Sequence, residues 1–340
     1  MAGGTAMLRG LARVVPARAL RGFGRPVAFH FHGVEDRIDD PGIQFNHHAR
    51  DDFVRIAKSL RSDFQILPLS ALGDVLAHPS RHTRTAFLMA DDGYRNNLSH
   101  VADILGTLGL PWSLFVSTHH IDTGELSPFT AARLFFRFAP NGRHALPHLP
   151  PVVLGDAQAR ARAAASGLKR LRRLDVRRGR ETVEAMLAAI PADRLARLKE
   201  RFASERFLNW PQVAELAKRG VEIGAHAHHH WPMHRECSPD DLAHEARTSR
   251  ERIENQIGPC RYFAYPFGNT ADVSRDAWRA VRDAGFAHAF TTMAGSLDGG
   301  ANPWLLPRYG LQDGERRLAA FAPMLRAANP RLAFWQRRLA

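Results

Sequence analysis

The chain has 340 residues, with 47 Lys and Arg against 34 Asp and Glu, a net charge of +13 and 45% apolar residues. That is enough apolar material for one large core, while no apolar stretch nears the ~18 residues that a membrane-spanning helix needs. Cys237 and Cys260 are too few for a disulfide framework or a cysteine-based zinc site, which makes a cytoplasmic location the default. The excess positive charge suits an anionic substrate, or peripheral contact with the inner membrane face. Nucleic acid is not expected, because no zinc-finger, RNA-binding aromatic or helix-turn-helix pattern accompanies the charge.

Residues 1–25 are a basic extension rich in Gly, Ala and Arg, without the apolar stretch of a secretory signal. Val27–Phe31 reads as the first strand, and of His30 and His32 only one is expected to look into the interior. A helical pattern over Asp52–Leu60 leads to a second, wholly apolar strand, Thr85–Ala90, which ends on Asp91-Asp92-Gly93-Tyr94. Gly93 lets the backbone turn, Asn97–Leu108 has helical periodicity, and Trp112–Val116 is the third strand.

The alternation then breaks. Residues 122–206 begin as a loop-rich stretch (Pro128, Pro140, Pro147, Pro150, Pro151) and continue as Arg/Ala/Leu-rich helix. Nine Arg and Lys residues crowd the segment from Arg160 to Arg180. A solvated helical face accounts for them; contact with a phosphorylated or lipid-linked sugar, an anionic polysaccharide or a membrane surface is the functional alternative.

A helix over Trp210–Lys218 and a strand over Val221–Ala225 resume the pattern and run into His226-Ala227-His228-His229-His230. Strands Tyr262–Tyr265, Ala287–Thr291 and Trp304–Pro307 follow. Helices Pro239–Ile257 and Ser274–Ala284 separate them, with Ser238 and Ser274 as caps and Gly258 and Gly285 as stops. Such alternation predicts parallel strands with ligands at their C-terminal ends. The expected fold is α/β, a distorted (β/α) barrel of about seven parallel strands with a helical insertion. Residues 26–121 and 207–314 form the barrel, 122–206 the insertion and 315–340 a basic helical tail.

Both strand-end motifs carry metal chemistry. Adjacent carboxylates repel, and a divalent cation on one offsets the charge while leaving the other free to act as a base. His226 and His230, spaced i, i+4, project to one side of a helical turn. Two neutral imidazoles and one carboxylate make a three-ligand site with open positions for water, which is the hydrolytic arrangement rather than the closed structural one.

Ala90-Asp91-Asp92-Gly93-Tyr94 and Glu222-Ile223-Gly224-Ala225-His226…His230 resemble the first two motifs of the polysaccharide deacetylase family, the NodB-homology carbohydrate esterases. Phe29-His30-Phe31-His32-Gly33-Val34 resembles that family's opening strand, and Phe207-Leu208-Asn209-Trp210-Pro211-Gln212-Val213 its lead-in to the histidine motif. Phe263-Ala264-Tyr265-Pro266-Phe267-Gly268 resembles its third motif, and Leu306-Pro307-Arg308 part of its closing strands. The resemblance runs from about Val27 to Leu311, with the motifs in family order.

It implies a metal-dependent hydrolase that removes an N-acetyl or related N-acyl group from an amino sugar in a glycan or glycan precursor. Asp92, His226 and His230 would hold the ion, most simply Zn2+, with Co2+, Ni2+ or Mn2+ as alternatives, and Asp91 would be the base. A backbone N–H at Phe267 would face the oxyanion, and Tyr265, Arg308 and His32 would line the substrate site, with Trp231 and Phe267 as platforms for a sugar ring. Ala90, Ala227 and Ala264 depart from the pattern. At position 264 many members carry an Arg that orients the catalytic Asp. The family's late His, its general acid, has no counterpart, since His288 is the last histidine. His228 and His229 are the substitutes offered for the acid, or alternative ligands. Other outcomes are a deformylase or deacylase of a lipid-linked or small-molecule sugar, and a degenerate carbohydrate-binding module without activity.

Overall fold

The computed structural model describes residues 25–297 and 302–311, together with Trp335 and Leu339. The basic extension and all but two residues of the C-terminal tail therefore lie outside the described residues. Seven parallel strands form the central sheet: β1 (Val27–Phe31), β2 (Thr85–Ala90), β3 (Ser113–Val116), β4 (Glu222–Ala225), β5 (Tyr262–Ala264), β6 (His288–Phe290) and β7 (Tyr309–Gly310). Their order is β6-β5-β4-β3-β2-β1-β7, and a short strand, Gln65–Ile66, also pairs with β2. Sequence neighbours are thus spatial neighbours, and one parallel bridge, Phe290 to Leu306, ties the β6 end to the segment leading into β7. The sheet is a curled, distorted barrel.

β1 and β2 are buried along their whole length, which is why they read as unbroken apolar runs. Alternation sorts their residues. Ala28, Phe87 and Met89 join Phe115, Phe290 and Leu306 in one cluster inside the barrel, while Phe29, Phe31, Leu88 and Ala90 pack outward under the helices. The last strand is Tyr309–Gly310, paired as Phe29 with Tyr309 and His30 with Gly310, and not the expected Trp304–Pro307. Pro307 has no N–H to give a ladder, so pairing lapses after Leu306 and resumes at Tyr309.

The insertion is more helical than its prolines suggest. Pro128 opens a helix, Pro128–Phe138, because at the first helical position its missing N–H costs nothing. Helices Ala157–Leu171, Val176–Ala188 and Ala192–Arg201 follow a short antiparallel hairpin, Gly142–His144 with Val152–Leu154. They enclose their own apolar cluster, centred on Phe135, Phe136, Leu171, Met186 and Phe202.

Several of its basic residues are committed to structure. Arg160 donates to the carbonyls of Phe136 and Ala139 at a helix end, at 3.0 and 2.7 Å. Arg172 bonds Asp272 (Nε to Oδ1, 2.7 Å), and Arg177 and Arg178 pair with Glu181 and Asp175. These contacts favour the solvated-face account of the segment over a dedicated anion surface.

One residue fastens the insertion to the barrel. Trp231, on the loop after β4, has no exposed surface, and its indole N–H donates to the Leu174 carbonyl at 2.6 Å. A Cβ on Gly179 would overlap that indole. Replacing Gly by Ala in an exposed helix stabilises by about 1 kcal/mol, whereas forced overpacking costs about 1–3 kcal/mol. Gly179→Ala is therefore expected to lower stability in urea unfolding; a stability gain would show that the indole yields freely.

Candidate active site

The site is built from the ends of β1, β2 and β4 and from two turns. Asp91 still belongs to the sheet, since its N–H donates to Phe31 O at 2.9 Å. By alternation it faces the barrel interior with Phe87 and Met89. Asp92 then takes a left-handed conformation, φ 76°, as do Ala227 (59°), His230 (54°) and Phe267 (61°). Such backbone costs non-glycine residues about 1–3 kcal/mol each and persists where surrounding packing enforces it. Here that strain converges on one place.

His226 Nε2 and His230 Nε2 lie 3.2 and 3.0 Å from Asp92 Oδ1. His226 donates Nδ1–H to the Ala264 carbonyl at 2.8 Å, so its Nε2 carries the lone pair that faces the carboxylate. Both Asp92 oxygens are buried without a hydrogen-bond donor. A lone pair and a carboxylate in contact repel unless a cation or a proton lies between them. The ligand atoms of the three residues lie within 4.8 Å of one another, and the 3.0 and 3.2 Å separations approach the edge of a tetrahedron with bonds of about 2.0 Å. The donor set fits a divalent ion.

Burial pushes the Asp92 carboxyl up, but His230, His32 and His226 outweigh it and hold the group well below its ordinary 3.8. Burial lowers His226, and the charges of Asp91 and Asp92 bring it back above its ordinary 6.5. Metal uptake would therefore displace protons.

Asp91 has a different partner. Arg308 Nη1 and Nη2 each lie 2.8 Å from one of its oxygens, a bidentate pair, and the Arg308 Nε–H donates to Thr291 O at 3.1 Å. The guanidinium is wholly buried, between the faces of Phe115 and Phe290. Burial raises the Asp91 carboxyl, and Arg308, His226 and His30 more than offset it, leaving it at about 2. Arg308 is thus an ion-pair partner of the expected base and not a residue that lines the substrate site. The guanidinium that pairs with Asp91 thus comes from the segment leading into β7 and not from position 264, where this chain has Ala.

The two β1 histidines both reach the site. Alternation places residues two apart on the same face, so His30 and His32 both follow Ala28 inward, and the His32 carbonyl is held by Asn97 Nδ2 at 2.7 Å. Its ring meets that of His30 edge-on at 5.8 Å, and His30 Nδ1 is 3.7 Å from Asp91 Oδ2. The expectation that only one faces inward is corrected.

Three further expectations change. Tyr265 is fully buried and its hydroxyl donates to Trp304 O at 3.0 Å, so it cannot touch a substrate. Trp231 is buried against Phe129 and offers no platform. His228 and His229 turn away from Asp92: their Nδ1 atoms bond Thr118 Oγ1 at 2.8 Å and Glu245 Oε1 at 2.6 Å. Phe267 keeps part of its ring open, 5.4 Å from His230 and 4.4 Å beneath the Arg172 guanidinium. His30, which the expectation of a single inward histidine left outside the site, joins it. The hint that Arg308 sat beside Asp91 was the Ala at 264, which obliges a buried carboxylate to find its cation elsewhere.

The polysaccharide deacetylase family model matches residues 78–289, well over half of the chain. No curated protein sequence matches it. Among solved structures, it is similar to the Streptococcus pyogenes deacetylase PplD in complex with acetate, at 13% identity and a TM-score of 0.57, covering 88% of this chain and 98% of that one. It is also similar to IcaB from Ammonifex degensii, at 16% identity and a TM-score of 0.54, covering 88% and 97%. BC0361, a polysaccharide deacetylase from Bacillus cereus, gives 13% identity and a TM-score of 0.52, covering 87% and 68%.

Arg308→Met tests the ion pair. Breaking a buried pair from one side costs about 3–5 kcal/mol at neutral pH. In the wild type the depressed carboxyl contributes stability that is present above pH 3.8 and lost as pH falls through about 2. In the variant burial is opposed only by His226 and His30, the carboxyl rises, and protonation relieves it. The stability gap between the two proteins, measured by urea unfolding with chelator present, is expected to narrow from pH 7 to pH 4.5. A gap that is small at pH 7, or constant with pH, contradicts the assignment.

Proposed function

Because the chain belongs to the polysaccharide deacetylase family of hydrolases, we propose that it removes an N-acetyl or related N-acyl group from an amino sugar in a glycan or glycan precursor. The observation that carries this reading is the Asp92–His226–His230 cluster, with its unsatisfied buried carboxylate, beside the Arg308-paired Asp91. The family is typically metal-dependent. Asp92, His226 and His230 would hold the ion, and its imidazole and carboxylate donors favour Zn2+ or Co2+. Such an ion supplies Lewis acidity to the acyl carbonyl and lowers the pKa of water to ~7.

Asp91 is the base in this reading. Arg308 makes it a weak one, so it accepts a proton only from water that has already been acidified. The same pair fixes its direction. The resemblance gives the backbone N–H of Phe267, which lies in a left-handed turn, the place facing the oxyanion. With His228 and His229 turned away, His32, partly exposed and grouped with Asp91, is the imidazole assigned to pass a proton to the departing amine; burial outweighs the charges of Asp92 and Asp91 and lowers its pKa, so it gives up a proton readily. The half-open Phe267 ring is the remaining surface against which a sugar ring could stack.

The deciding experiment is acetate and formate release from a panel of N-acyl amino sugars, nucleotide-linked sugars and oligomers, with and without Zn2+. No release from any member would leave a binding module as the reading. Asp91→Asn is expected to keep the metal and lose about 10²–10⁴-fold in rate, whereas His226→Ala loses metal too. Near-full turnover by Asp91→Asn would remove it as the base.

His32→Gln is expected to slow hydrolysis of the amide more than that of an activated aryl acetate, whose leaving group needs no proton. Equal slowing of both would assign His32 to positioning instead.

A further inference from the structure

We propose a second divalent-metal site formed by His119, His228 and His229, which Arg180 closes in this structure. The three imidazoles offer ligand atoms within 4.8 Å of one another, apart from the Asp92 cluster. Their ring centroids are 4.3 to 5.6 Å apart. What distinguishes them from a surface group of histidines is the set of outer partners. His119 Nε2 is held by Glu125 at 2.9 Å, His228 Nδ1 by Thr118 Oγ1 at 2.8 Å and His229 Nδ1 by Glu245 Oε1 at 2.6 Å. Each ring therefore keeps its other nitrogen for a ligand, the arrangement by which proteins orient metal-binding imidazoles.

Glu245 is the anchor. It is buried, and its second oxygen accepts the backbone N–H groups of His228 and His229 at 3.0 and 2.8 Å. His229 then donates Nδ1–H to the carboxylate, so its Nε2 bears the lone pair. Arg180 Nη1 donates to that atom at 3.1 Å. His229 also borders a cavity of about 370 Å³ lined by Arg180, Glu184, Asp241 and His244, which gives an ion a route in. Three imidazoles select a borderline cation such as Zn2+, Co2+ or Ni2+ over Mg2+ or Ca2+.

The two clusters share one loop. Left-handed backbone at Ala227 and His230 turns His226 and His230 one way and His228 and His229 the other. An ion on the second set joins this loop to the helix Thr118–Thr123 and to Glu245, and so fixes the loop that carries the first set.

Metal-free protein is dialysed to equilibrium against Zn2+, and bound metal is measured in the wild type and two double variants, each checked for native circular dichroism. These are His226→Ala/His230→Ala and His119→Ala/His228→Ala. The wild type is expected to bind one ion more than either variant. An ion retained by His226→Ala/His230→Ala supports the second site whatever the first cluster does in catalysis. No binding by that variant, while the wild type binds, overturns the proposal. Arg180→Ala removes the competing donor from a partly exposed helix position and is expected to lower the Kd of the second ion about three- to tenfold. An unchanged Kd would remove the part assigned to Arg180.

Discussion

A bidentate ion pair with no exposed surface, Arg308 on Asp91, ties the electrostatics of the site to the closure of the barrel. Arg308 lies between the bridge at Leu306 and the two-residue strand β7. Its Nε–H donates to Thr291 O just beyond β6, and its guanidinium reaches Asp91 at the end of β2. One side chain thus adds to the backbone bonds that cross the seam, such as Thr291 N–H to Leu306 O at 2.8 Å. Burying both charges is costly, and the pair offsets that cost only while both partners are present. A break in the seam would therefore also release the carboxylate.

The same constraint separates two adjacent aspartates. Asp91 and Asp92 are neighbours in sequence, yet one faces a fixed guanidinium and the other faces two imidazoles and no fixed cation. The left-handed backbone at Asp92 makes this division. Without that turn both carboxylates would share one environment, and their repulsion would raise one of them. Strain of about 1–3 kcal/mol at such a residue is small beside the repulsion it avoids in a low-dielectric interior.

Much of this was legible in the sequence, because local patterns specify it. Period-2 and continuous apolar runs marked the first six barrel strands to within about one or two residues. Gly258 and Gly285, both at positive φ, ended their helices as expected. Asp92, His226 and His230 were legible because each sits next to a strand end. Arg308 was read as a residue of the substrate site, since its partner is more than two hundred positions away and no spacing rule connects them. Trp231 and Tyr265 were misread for another reason. A large aromatic beside a site looks the same whether it faces substrate or core, and the competitor here was Gly179, whose missing side chain makes room for the indole. His30 and His32 were misjudged because residues two apart share a face of a strand, so alternation turns both inward with Ala28.

Several of the insertion's arginines have partners within the chain, and the insertion is not remote from the candidate site. Arg172 pairs with Asp272 and lies over Phe267, whose ring approaches His230. Trp231 follows His230 directly and bonds the carbonyl of Leu174 between two insertion helices. The wall beside the candidate metal ligands is therefore made partly of insertion residues. Phe267 and the arginine over it thus join the insertion to the loop that carries His230.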